Sequence, residues 1–178
     1  MKSLNRILEN ELKSGSILLV SISSRDYRDC LKNLVEFSVK KFKKICYVAA
    51  NDPCGAIRDR VCAGDVSKLF FIDCVSSTVG KHKDENNVIF VSSPQALTEI
   101  SIVAKKVIQS VGVDFVIFDS ISAIMVYEKS LAILKFIHSL VLTCRDAKLA
   151  ASFIILKEDV GNELLKDLAM FVDKVVEA

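Results

Sequence analysis

Short apolar runs alternate along this chain with segments whose apolar positions recur every three or four residues. Ser16–Ile22, Ile45–Ala50, Leu69–Asp73, Val88–Val91, Phe115–Asp119 and Ala151–Leu156 are nearly continuous in apolar residues, the pattern of strands buried on both faces. A last short strand is predicted at Val172–Val176. Helical spacing runs through Ser3–Leu12 (Leu4, Ile7, Leu8, Leu12) and Tyr27–Lys43 (Cys30, Leu31, Leu34, Val35, Val39, Phe42). Further helices are predicted from Pro53 to Cys62, stopped by Ala63-Gly64, and from Ser92-Ser93-Pro94 to Gly112. Two more follow, over Glu128–Asp146 and Glu163–Phe171. Strands alternating with helices in units of about thirty residues predict a parallel sheet covered on both faces. The expectation is a single α/β domain over residues 1–178, a three-layer α/β/α sandwich with a mostly parallel central sheet. Residues 1–14 form its N-terminal helix and 76–87 a long polar loop.

Composition narrows the functional classes. A chain of 178 residues, 51% of them hydrophobic, builds one sizeable core, and 26% charged residues supply a soluble surface. No apolar run reaches the roughly eighteen residues of a membrane span. Met1–Lys13 is polar and lacks the apolar centre of a signal peptide, so the cytoplasm is the expected location. A net charge of +2 argues against a protein built mainly around phosphate backbones. Cys30, Cys46, Cys54, Cys62, Cys74 and Cys144 form no C-x-x-C pair and no cluster with His82 or His138. They read as small core residues in a reducing compartment rather than as metal ligands. His138 falls in a helical pattern with Leu134, Ile137 and Val141 and is expected to pack, partly buried. Neither G-x-S-x-G nor G-x-G-x-x-G is present, which removes the signatures of a nucleophile-elbow hydrolase and a dinucleotide enzyme.

The richest stretch is V-D-F-V-I-F-D-S-I-S-A-I, Val113 to Ile124. Its apolar strand ends in Asp119 and Ser120, at the carboxyl edge where open α/β sheets bind ligands. With G-S-I-L-L-V-S (Gly15–Ser21), I-C-Y-V-A-A-N-D-P (Ile45–Pro53) and F-V-D-K-V-V-E (Phe171–Glu177), this order resembles the RecA-like ATPase core, most closely its KaiC-like branch. The resemblance spans nearly the whole chain and is most specific in the Walker B-like stretch. It implies a P-loop NTPase fold, and at Asp119 a carboxylate that would hold magnesium if a nucleotide–magnesium complex bound.

The chain departs from that family where a phosphate-binding loop belongs. The pattern G-x-x-x-x-G-K-[ST] falls on Ile22–Asp29, I-S-S-R-D-Y-R-D, and all four defining positions differ. Ile22 and Tyr27 stand where glycines let backbone N–H groups wrap phosphate oxygens. Arg28 keeps a lysine's charge but changes its shape and reach. Asp29 puts a carboxylate where the magnesium-binding hydroxyl belongs. The acidic pair expected after the second strand reads Asn51-Asp52; an amide cannot act as a base, and Asp52 could serve only with its backbone shifted by one residue. Hydrolysis by the usual mechanism is therefore not expected. The favoured role for Asp119 and Ser120 is structural, capping the turn or pairing with Arg25 or Arg28 across the crevice.

The resulting expectation is a degenerate KaiC/RecA-like domain that acts without a cofactor or catalytic residues, as a regulatory or assembly module with a protein partner or a second copy. Its candidate crevice comprises Ser23, Ser24, Arg25, Arg28, Asn51, Asp52, Asp119, Ser120 and Lys157, the last in a polar turn, Lys157-Glu158-Asp159, at another strand end. One rival is an atypical ATP binder using Arg25 and Arg28 for phosphates and Asp119 for magnesium. The other is a nucleic-acid module on Lys40, Lys41, Lys43 and Lys44. That run reads better as a solvated helix end, its lysines facing the helix dipole and Phe42 packing inward. Lys81-His82-Lys83 adds little to it, because Asp84 and Glu85 follow.

Overall fold

The computed structural model describes residues 2–60 and 66–178. Among these residues, seven strands form one sheet: β1 (Ile17–Ile22), β2 (Ile45–Ala49), β3 (Leu69–Asp73), β4 (Val88–Phe90), β5 (Phe115–Asp119), β6 (Ala150–Leu156) and β7 (Lys174–Glu177). Their order is β4-β3-β2-β5-β6-β1-β7, and every neighbouring pair is parallel. Among the described residues, seven α-helices precede or connect them: α1 (Lys2–Glu11), α2 (Tyr27–Lys41), α3 (Cys54–Arg60), α4 (Leu97–Val111), α5 (Ile121–Met125), α6 (Ser130–Asp146) and α7 (Asn162–Ala169).

Period-two alternation assigns each strand residue to one of two cores. Leu18, Val20, Ile22, Tyr47, Phe115 and Ile117 pack with α1, α2 and α3. Leu19, Val48, Val116, Phe118, Phe153 and Ile155 pack with α4, α5, α6 and α7. Both faces of the central strands are therefore apolar, which is why these strands show no polar alternation in the sequence. The three-layer α/β/α architecture is as expected. β5 lies in the middle of the sheet, with Asp119 level with Ala49 of β2.

Boundaries moved in instructive places. α4 begins at Leu97, because residues 93–97 first close two turns through Ala96 N–H to Ser93 O and Leu97 N–H to Gln95 O. α5 was not expected; its cap is Ser120, whose hydroxyl accepts from Ala123 N–H. The expected end of α3 at Cys62 and the Ala63-Gly64 stop lie outside the described residues. Within 76–87 the chain makes a short helical turn at Ser76–Thr78 and a single bridge from Glu85 to Val88. Cys46, Cys54, Cys74 and Cys144 are buried and Cys30 half-buried, all as free thiols. His138 is exposed rather than partly buried, and stacks on Phe171 with ring centroids 4.5 Å apart. Among the described residues, no helix is long and apolar enough to cross a membrane.

Candidate functional site

The carboxyl edges of β1, β2, β5 and β6 meet around Asp119, which is fully buried. Tyr27, in the first turn of α2, donates its hydroxyl to Asp119 Oδ1 at 2.6 Å. Tyr47, in the middle of β2, donates to Oδ2 at 2.5 Å. Asn51 completes the group, its side-chain N–H donating to the Tyr27 oxygen at 3.1 Å. The Asp119 main-chain carbonyl accepts from the N–H groups of Ala50 and Asn51, at 2.6 and 3.1 Å, and so fixes the exit of β2. Both carboxylate oxygens are thus held by phenols, one from each flanking element.

The electrostatics follow from this packing. Burial pushes the Asp119 carboxyl up to about 6, against the hydrogen bonds from Tyr27 and Tyr47 that pull it down. Burial, reinforced by the Asp119 charge, pushes both phenols well above their usual range, so they remain protonated donors. Asp73, at the end of β3, is equally buried but differently served. Burial pushes it up, yet the N–H groups of Ser76, Cys54 and Val75 outweigh that effect and hold it below its usual value. A carboxylate ringed by backbone donors in this way pins the start of α3 to the end of β3.

The loop between β1 and α2 is closed by two acids, one from the turn after β6 and one of its own. Glu158, just past β6, accepts the Ser24 N–H with both oxygens, at 3.1 and 3.0 Å, and the Ser24 hydroxyl at 2.8 Å. These bonds, the Ser24 hydroxyl first, hold the Glu158 carboxyl below its usual value. Ser23 donates its hydroxyl to Asp26 at 2.6 Å and accepts the Asp26 N–H in return. A separate recess of about 380 Å³ opens beside Asn51, lined also by Thr78, Ser93, Gln95 and Tyr127. Among the described residues, no three His, Cys, Asp or Glu side chains gather as they would around a metal ion.

With this geometry in view, the comparisons with known proteins concern the fold. No protein-family model matches the chain, and no curated protein does. Among solved structures, a KaiC-like protein from the hyperthermophilic archaeon Pyrococcus horikoshii OT3 superposes with a TM-score of 0.70 at 12% identity, covering 94% of this chain and 76% of that chain. The fold is RecA-like, of the KaiC-like type.

Within that KaiC-like fold the candidate residues do not form one cluster. Arg25 is exposed and lies 3.7 Å from Asp26. Arg28 is exposed and has no ion-pair partner among the described residues. Neither arginine reaches Asp119, so the expected pairing across the crevice is replaced by the two tyrosines. Asp52 turns away to an ion pair with Arg60. Lys157 is exposed and faces Glu177 at 3.4 Å. Ser120 caps α5. Of the basic run, Lys40 and Lys43 are exposed, Lys44 is half-buried, and the Lys41 ammonium donates to the Leu12 carbonyl. Asp114 sits within the run, accepting the backbone N–H groups of Lys43 and Lys44, and Phe42 stacks on Phe115 at 4.5 Å. Sequence reasoning missed Tyr27 and Tyr47 as partners of Asp119, and Glu158 as partner of Ser24. The available signal was small: a tyrosine at a glycine position, and an acid next to Lys157.

Proposed function

We propose that this chain is a KaiC/RecA-like domain that works without nucleotide hydrolysis, as a regulatory or assembly module acting through protein binding. The observation that carries this reading is the double occupation of Asp119 by Tyr27 and Tyr47. A magnesium ion is held by carboxylate oxygens in near-octahedral geometry and keeps several waters. Here the acid is fully buried, and each of its oxygens already accepts a short hydrogen bond. The loop supports the same conclusion. Phosphate cradles present successive free N–H groups at a helix start, whereas the Ser24 N–H is turned to Glu158 and the Asp26 N–H to Ser23. The residues present therefore do not fit a magnesium–triphosphate complex.

The candidate base fits no better. Asn51 is an amide engaged with Tyr27, and Asp52 is paired with Arg60. What remains is a stable KaiC-like scaffold whose former reaction centre has become a structural hydrogen-bond network. A steady-state phosphate-release assay on the full chain with magnesium and ATP tests this. The expected result is release indistinguishable from the buffer blank; turnover that Asp119→Asn abolishes would overturn the proposal.

A further inference from the structure

The strands β2 and β5 are neighbours in the sheet, and the chain leaves their carboxyl ends in opposite directions. After β2 it passes to α3, whose Cys54 and Ile57 pack on the α2 side. After β5 it passes to α5, whose Ile121 and Ile124 pack on the other side. Such a divergence opens a crevice, and open α/β sheets take their ligands there. The recess of about 380 Å³ beside Asn51 lies at this point, walled by residues that follow β2, β3, β4 and β5. Its walls are fixed. The Asp119 carbonyl accepts the N–H groups of Ala50 and Asn51, Asp73 accepts those of Val75 and Ser76, and Ser120 caps α5. The two turns that delay α4 set Ser93, Pro94 and Gln95 along the remaining wall.

The chemistry of the lining defines what fits. None of its side chains is charged, so an ionic ligand would leave water without meeting a counter-charge. Asn51, Ser93, Gln95 and Tyr127 can each both donate and accept a hydrogen bond. Asn51 donates one amide N–H to Tyr27, which fixes its carboxamide and leaves its carbonyl oxygen and second N–H open. Among the described residues, the side chains of Ser93, Gln95 and Tyr127 make no hydrogen bond. Apolar groups stand between them, and two are left largely to water: Tyr127 is 57% and Val126 74% exposed. Groups that donate and accept match hydroxyls, which do the same and rotate to suit. The phenol ring and the apolar wall match the C–H faces of a saturated ring, and the volume is near the small end of ligand pockets, room for one ring. A nucleobase fits less well, because its fixed edge demands equally fixed partners and only Asn51 is held by a bond. We propose that this recess binds a single uncharged polyhydroxylated ring, a sugar or cyclitol, with Asn51 and Gln95 bonding its hydroxyls and Tyr127 against one ring face. The lining holds no cation for phosphates, so phosphate release and ring binding can each fail alone.

Saturation-transfer difference NMR on the full chain tests the proposal, with glucose, galactose, mannose, their methyl glycosides and myo-inositol as probes. The expected result is saturable binding of at least one of these rings, with a dissociation constant on the order of 1 mM. Binding of a free sugar but not its methyl glycoside supports a free monosaccharide as the ligand, equal binding of both supports the end of a glycan, and binding of myo-inositol alone supports a cyclitol. Gln95 and Tyr127 are exposed, so Gln95→Ala and Tyr127→Ala keep the circular dichroism spectrum of the wild type. Each weakens binding by roughly fivefold to tenfold, whereas Lys40→Ala, at the far edge of the sheet, has no effect. No saturable binding of any probe, or binding that Gln95→Ala and Tyr127→Ala leave unchanged, would overturn the proposal. So would tighter binding of glucose 6-phosphate than of glucose, or of adenine than of every probe.

Discussion

Burial and two phenolic donors act on Asp119 in opposite directions, and burial wins, leaving its pKa at about 6. A carboxyl whose folded pKa lies above its unfolded value contributes stability that is complete below the unfolded value, near 3.8, and is lost as pH rises through the folded one. For Asp119 the loss falls between about pH 4 and pH 6, and the raised value corresponds to about 3 kcal/mol at neutral pH. Asp73 has the opposite sign: its lowered pKa gives stability that is present near neutrality and lost in acid. Comparing wild type with Asp119→Asn cancels the Asp73 contribution. The variant is expected to gain stability relative to wild type as pH rises from 4 to 7, read by denaturant titration at each pH; a difference that does not change with pH would refute the ionised, buried carboxylate. Asp119 itself was legible, as a strand-end acid after an apolar run. Its partners were not. A tyrosine in place of a glycine reads only as a lost cradle, and Tyr47 within I-C-Y-V-A is indistinguishable from any core aromatic. Only the fold shows that their hydroxyls converge.

At the level of elements, the layers and the strand–helix alternation were legible because buried parallel strands leave long apolar runs. Strand order was not, since uniformly apolar strands carry no mark of which neighbours they pair with. Five residues, Ile121–Met125, are too few to display a helical period, so α5 escaped notice. Ser92-Ser93-Pro94 carried a helix-start signature that the chain spends on two turns instead. Helix ends show the same dependence on backbone conformation. α4 ends at Gly112 with φ +73°, where glycine meets the left-handed requirement without strain. α6 ends differently: Lys148 takes φ +56°, and the neighbouring Leu149 N–H reaches back to the Cys144 carbonyl at 2.9 Å. A lysine in that conformation costs about 1 kcal/mol relative to glycine. Lys148→Gly is expected to stabilise the protein by about that amount, measured as a higher denaturation midpoint; an unchanged or lower midpoint would show that the turn does not favour glycine.

For the whole molecule, the KaiC-like fold brings the strand ends together over one closed crevice. At the carboxyl edge of the sheet, Asp119, Tyr27, Tyr47 and Asn51 form a closed network, with Glu158 fastened to Ser24 beside it. The proposed role requires a crevice that no longer accepts a magnesium nucleotide, and calorimetric titration of the full chain with magnesium and ATP, at protein concentrations that detect affinities of about 1 mM, tests this most directly. The predicted result is no saturable heat. Saturable binding that Asp119→Asn and Arg28→Ala each abolish would contradict the account.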